Sequence, residues 1–296
     1  MSRPLLRRWL RDPLEAGVAW GLFGLLRALP LDVVSGLGGF LARCIGPLLP
    51  VNSVGDANLR LAFPEMPAGE RRRVLRAAWD NLGRTLFEYP HLDRILNERV
   101  EIVGMAHLEA FRDDGRCGIA FSGHIANWEI MPAAAGWAGV PLTNVYRAPN
   151  NPRVDAVIRH ARRLAGPDLV PKGAAGARLL LKALKKGGHL GLLVDQKMND
   201  GIAVPFFGHP AMTASAVADL ALKFDAVLLA AQPIRLGGAR FRLMIMPLIE
   251  PSSLVNPAAT DSPQVQFMTR INGLLESWIR ANPAQWLWFH RRWPKS

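Results

Sequence analysis

From about residue 100 onward, short apolar runs alternate with longer amphipathic stretches, and this alternation limits the fold more than any other feature of the chain. The runs lie at 101–103, 118–121, 141–146, 189–194, 227–234 and 240–246, short and mostly apolar. Between and after them, 127–137, 152–164, 174–185, 214–223 and 265–281 read as helices. Apolar strands joined by helices predict an α/β fold, with a largely parallel central sheet flanked by helices. Active residues in such a sheet belong on loops at the carboxyl ends of strands.

The first fifty residues follow a different pattern. Arg3, Arg7, Arg8 and Arg11 precede an apolar stretch, Ala16 to Leu26, and a second runs from Val33 to Val51 with Asp32 and Arg43 at its edges. Neither is an unbroken span of about 20 apolar residues. The reading preferred here is a pair of helices hinged near Pro30 that lies in or on one leaflet, arginines toward anionic headgroups. Ordinary buried helices are the alternative. This divides the chain into N-terminal membrane-associated helices, 1–51, and a catalytic domain, 52–296, which opens with helices at 56–63 and 70–89.

The formal net charge of +12 calls for an anionic partner: nucleic acid, acidic lipid or an acidic carrier protein. A hydrophobic content of 50% and a mean hydropathy of +0.10 favour the lipid side of that choice. Cys44 and Cys117 form neither a disulfide framework nor a zinc spacing, which fits a reducing compartment. The chain has no His-Glu-x-x-His, no phosphate-binding loop of the Walker type and no Gly-x-Ser-x-Gly elbow, so metal, ATP and serine-hydrolase chemistry start without support.

At the end of the second apolar run stands Phe121-Ser-Gly-His-Ile-Ala-Asn-Trp-Glu129. A histidine can take a proton from a hydroxyl, and a nearby carboxylate can orient the ring and stabilise the imidazolium. Positions i and i+5 lie about 140° apart on a helix, so the spacing suits a loop histidine and a glutamate in the first turns of the next helix. A loop histidine beside a glutamate that merely complements a helix dipole would look the same. Four further segments are candidates. Arg147, in Val145-Tyr-Arg-Ala-Pro-Asn-Asn-Pro152, could grip a phosphate or carboxylate from a strand-end loop, with Arg162, Arg163 and Lys172 adding cations nearby. Asp195-Gln196 ends another buried strand. Val204 to Thr213 is an aromatic loop that could wall an acyl groove or be a plain hydrophobic turn, with Thr213 placed to cap a helix. Gln285 to Trp293 mixes tryptophans with arginines, which suits a membrane interface, stacking on nucleic acid, or a tail packed on the core.

Together with Asn58-Leu-Arg-Leu-Ala-Phe-Pro64, these blocks resemble the late acyltransferases of bacterial lipid A biosynthesis, the lauroyl and myristoyl transferases of the His-x4-Glu acyltransferase superfamily. The resemblance covers nearly the whole chain. It implies an O-acyltransferase that moves a fatty acyl chain from an acyl carrier protein thioester to a hydroxyl of a lipid A precursor, in lipopolysaccharide biosynthesis. His124 would be the general base and Glu129 would hold its ring; Asn127 and backbone N–H groups would face the oxyanion. Arg147, Arg163 and Lys172 would bind acidic groups of the acceptor, with Asp195 and Gln196 also on the substrate side. No cofactor beyond the thioester donor is implied, and no metal. The implied partners are the carrier protein, the lipid A precursor and an anionic membrane surface, at the cytoplasmic face of the bacterial inner membrane. Acylation of another glycolipid or of a lysophospholipid is the nearest alternative; a basic nucleic-acid-binding protein is a distant one.

Overall fold

The computed structural model describes residues 11–146, 148–165, 169–171 and 173–294. Arg3, Arg7, Arg8, and the two expected substrate cations Arg147 and Lys172, lie outside the described residues. Among the described residues, five α-helices come first: α1 (Asp12–Ala28), α2 (Leu31–Ile45), α3 (Val51–Ala62), α4 (Ala68–Glu88) and α5 (Leu92–Glu98). Then follow β1 (Val100–Val103), α6 (Met105–Asp113), β2 (Gly118–Ser122), α7 (Ile130–Trp137), β3 (Leu142–Tyr146) and α8 (Pro152–Ala161). The second half comprises β4 (Leu169–Pro171), α9 (Ala174–Lys185), β5 (His189–Leu193), β6 (Lys197–Phe206), β7 (His209–Thr213), α10 (Ala216–Phe224), β8 (Val227–Gly237), β9 (Arg240–Ile245) and α11 (Pro263–Ala281).

Seven strands form one sheet in the order β1-β9-β8-β2-β5-β3-β4, and every neighbouring pair is parallel except the β8–β9 hairpin. This is the α/β class expected from the sequence. Strand β2 lies at its centre, buried at every residue because both of its faces are covered. Its alternate side chains enter two cores: Ile119 and Phe121 join one with α10, α11 and the C-terminal tryptophans, while Ala120 joins another with α6 and α7. Entry into α8 follows simple capping chemistry, since Pro152 fits a first-turn position and Asn151 Oδ1 accepts the Arg153 N–H at 3.0 Å.

Two expectations fail here for packing reasons. The aromatic loop at 204–213 is instead the turn and arms of a β6–β7 hairpin, and Phe206 and Phe207 are buried rather than lining a groove. Phe206 stacks on Trp293 and meets Trp286 edge-on, so hairpin and tail cover each other's aromatic surface. Thr213 does not cap α10; its hydroxyl donates to the Ala211 carbonyl and accepts from Arg292. In the tail, Trp286, Trp288, Trp293 and Arg292 are all buried, which makes it a packed segment of the core rather than an interfacial belt. Strand β4 went unread because three residues ending in proline carry almost no pattern.

The N-terminal helices break at Leu29–Pro30, near the expected hinge. Helix α2 lies so close against α4 that a Cβ on Gly38 would stand 2.5 Å from the Gly83 carbonyl oxygen, and one on Gly83 would stand 2.1 Å from that of Gly38. Polar contacts run along the same seam: Ser35 Oγ donates to Glu88 at 2.7 Å and Arg43 pairs with Asp80 at 3.4 Å. Helix α1 packs on α8, where Asn151 donates to the Asp12 carbonyl and Trp20 meets the His160 ring. Away from these contacts, Leu14, Val18, Leu25, Val33, Phe40, Ile45 and Leu48 stand exposed.

Candidate active site

Strands β2 and β5 are parallel neighbours with Ser122 opposite Leu193, so the two chains leave the sheet side by side. His124 follows the carboxyl end of β2 and Asp195 that of β5. Asp195 Oδ1 lies 2.7 Å from His124 Nδ1, and Oδ2 accepts both the His124 backbone N–H at 2.8 Å and the Trp286 indole N–H at 2.7 Å. An ionised carboxylate only accepts, so Nδ1 carries the proton and Nε2 is the bare acceptor. The side-chain nitrogen of Gln196 sits 3.3 Å from Nε2, as a donor to that lone pair would. Burial alone would raise the pKa of Asp195; the charge and hydrogen bond of His124, with lesser help from His290, outweigh it and hold the carboxyl well below the usual range.

The loop is held from behind. Ala126 has a φ of 47°, a conformation that costs energy in a residue with a Cβ, and the surrounding contacts impose it. Its carbonyl accepts from Asn81 at 3.1 Å and Thr85 at 3.0 Å, and its N–H donates to the Gln285 carbonyl at 2.8 Å. Asn127 is fully buried: its amide donates to Glu88 at 2.9 Å and its carbonyl oxygen accepts the Glu129 N–H at 3.2 Å. It is therefore a strut of the loop, with its amide and its carbonyl oxygen both engaged by protein. Glu88 in turn bonds Arg235 through both carboxylate oxygens, at 2.6 and 3.1 Å.

Glu129 stands apart from the histidine's hydrogen bonds. Immediately before α7, it accepts from the Tyr89 hydroxyl at 2.6 Å and from both Nε and an Nη of Arg162, the first at 2.7 Å. Burial, and then the Glu129 charge, raise the Tyr89 pKa, while Arg162 stays more strongly basic than usual because Glu129 outweighs the cost of burial. The carboxylate that contacts the ring is thus Asp195, a residue expected on the substrate side, and Glu129 clamps an arginine. Arg163 points elsewhere, to Asp93 at 3.0 Å and the His160 carbonyl at 3.1 Å, on the surface. Sequence reasoning noted Arg162 only as one of several cations and missed Tyr89, Glu88, Arg235 and Trp286. Helix phase was the one usable signal, because Arg162 and Arg163 leave the end of α8 about 100° apart. Among the described residues, no three His, Cys, Asp or Glu side chains gather where they could hold a metal ion.

Fold and site define a class: an α/β enzyme with a histidine–carboxylate pair at the carboxyl ends of parallel strands. The chain belongs to the bacterial lipid A biosynthesis acyltransferase family, whose model matches residues 7–295, and it is an O-acyltransferase. It is 28% identical to the lipid A biosynthesis lauroyltransferase of Escherichia coli K12, over 97% of this chain and 92% of that one. It is 25% identical to the palmitoleoyltransferase of the same organism, over 93% and 88%. A lipid A biosynthesis acyltransferase of Haemophilus influenzae is 24% identical, over 92% and 86%.

Proposed function

We propose that this chain transfers a fatty acyl group from an acyl carrier protein thioester to a hydroxyl of a lipid A precursor, with His124 as the general base. The observation that carries the reading is the tautomer set by Asp195, which leaves Nε2 free of a proton. The acceptor hydroxyl displaces Gln196 and gives its proton to Nε2 as its oxygen attacks the thioester carbonyl. The tetrahedral intermediate collapses with cleavage of the C–S bond, and the imidazolium returns the proton to the departing thiolate. Ester and thiol are the products. No covalent enzyme intermediate is needed. Asp195 holds the ring and stabilises its charged form, as the acid does in a triad.

The reaction is placed at the cytoplasmic face of the inner membrane, on an anionic leaflet. The segment Leu31–Leu48 is apolar enough to be a candidate span, with a mean hydropathy of 1.3. Helix α4, however, is welded to its inner side by Gly38, Gly83 and Ser35, so a spanning α2 would draw Asp80, Arg84 and Glu88 toward hydrocarbon. An in-plane position presents Val33, Phe40, Ile45 and Leu48 to the lipid and avoids that cost. The positive net charge then serves both the anionic surface and an acidic carrier protein.

The test uses the solubilised full chain, carrier-protein thioesters, and either a lipid A precursor or a lysophospholipid as acceptor, with products read by mass spectrometry. Acylated precursor is expected from the wild type, and about 10²-fold less or lower still from His124→Ala. Exclusive use of the lysophospholipid would overturn the acceptor, and activity of His124→Ala within a few-fold of wild type would overturn the base.

A further inference from the structure

Beside the histidine lies an open cleft, about 430 Å³ when the solvent space in front of it is counted, between α7 and the carboxyl-terminal halves of β3 and β5. Trp128 stands at its mouth and also meets the His124 ring edge-on at 5.1 Å, so one indole joins the cleft to the reacting centre. Met131, Val145, Leu169 and Leu193 supply apolar walls. Among the described residues of its lining the two charged groups, Glu129 and Arg162, are paired with each other and with Tyr89. The Phe206–Phe207 pair, which the sequence suggested for an acyl groove, is inside the core.

The far end of the cleft is polar and built by the strand register. Asn144 on β3 stands opposite Gly191 on β5, and its carboxamide lies over the glycine. A Cβ on Gly191 would come within 2.1 Å of Asn144 Oδ1, so the absent side chain makes room for the amide. Asn144 Nδ2 is tied to the Leu142 carbonyl at 3.0 Å, which fixes the carboxamide in place. An apolar passage that ends on an amide stops a hydrocarbon chain abruptly, because each further methylene must press against a polar group already bonded to protein.

We propose that this cleft holds the acyl chain of the donor and that the Asn144–Gly191 floor sets its length; the proposal rests on the acyl-transfer reading above. The thioester carbonyl lies at the Trp128 mouth beside His124 Nε2, and the chain runs between α7 and the strands to Asn144. Burial of one methylene is worth about a fourfold preference, so a floor lowered by even part of a side chain changes the chain chosen.

The experiment sets carrier-protein thioesters of graded saturated chain length in competition and reads the product ratio by mass spectrometry. Asn144→Ala deepens the floor and is expected to move the preferred chain longer, by about fourfold per added methylene over the first one or two. Met131→Trp fills the cleft and is expected to move it shorter, with Leu193→Phe on the opposite wall as the substitute if Met131→Trp does not fold. Thermal stabilisation of the same proteins by free fatty acids provides a readout apart from activity, and its chain-length optimum should move in the same directions. Unchanged ratios and unchanged stabilisation in folded variants would overturn the proposal. So would a raised KM for the acceptor with an unchanged ratio, which would give the cleft to the sugar. A wild type that binds fatty acids with the expected length dependence but transfers none would sink the acyl-transfer reading and leave the cleft standing.

Discussion

Two buried carboxylate centres flank the loop that carries His124, and they are satisfied in opposite ways. Glu88, with no exposed surface, receives an arginine, a serine and an asparagine: Arg235, Ser35 and Asn127. Asp195, equally buried, receives no arginine hydrogen bond among the described residues; its direct donors there are a backbone N–H, an indole and the imidazole. A carboxylate already neutralised by a guanidinium has little field left for a neighbour, whereas one held by neutral donors can stabilise a charge that appears during reaction. Glu129, with Arg162 and Tyr89, resembles the Glu88 centre. The comparison separates a carboxylate that contacts the histidine from carboxylates that fix the backbone around it.

The largest effect should come from the acting centre. His124→Ala should lower kcat by about 10² to 10⁴, and Asp195→Asn should approach it because the amide can no longer fix the tautomer or stabilise imidazolium. Steady-state kinetics on folded protein checks both. If Asp195→Asn kept nearly full kcat while Glu129→Gln abolished it, the division of roles drawn here would be reversed. Next, Glu88→Gln and Arg235→Met should each cost about 3–5 kcal/mol of stability, since each strands a buried charge, and denaturant unfolding measures it. The Glu88→Gln/Arg235→Met double variant should cost less than the sum of the two, and strict additivity would break the pairing.

Glu129→Gln should lose less activity than Asp195→Asn, through a loosened Arg162, and double substitution of Glu129 with Arg162 should add little to either alone. The smallest effect concerns acidity. Burial lowers the pKa of His290, so the neutral ring is favoured in the folded state. Its contribution to stability is complete above the unfolded value of about 6.5 and is lost as pH falls through the lowered folded value. His290→Gln should therefore flatten the fall of Tm below about pH 6.5. It should not remove it, because burial lowers His189 in the same sense. An unchanged slope would exclude His290 as a contributor.

Much of the fold was legible because it rests on local pattern. Buried strands need continuous apolar runs, amphipathic helices need a 3.6 period, and Pro30 and Pro152 mark breaks or starts by their own chemistry. The β6–β7 hairpin was misread because aromatic residues in a turn look alike whether they face a ligand or the core. Arg162 and Arg163 were indistinguishable until the end of α8 had a direction.

What the sequence determined by itself was the α/β class, the hinge near Pro30 and the position of His124 at the end of an apolar strand, since each depends on neighbours within a few residues. Only the tertiary structure decided which carboxylate contacts the histidine. Asp195 lies 71 residues from His124 along the chain, and strand order alone makes them adjacent. Glu129 is five residues away, yet the chain turns it toward Tyr89 and Arg162, because the strained turn at Ala126 and the buried amide of Asn127 aim the start of α7 away from the ring.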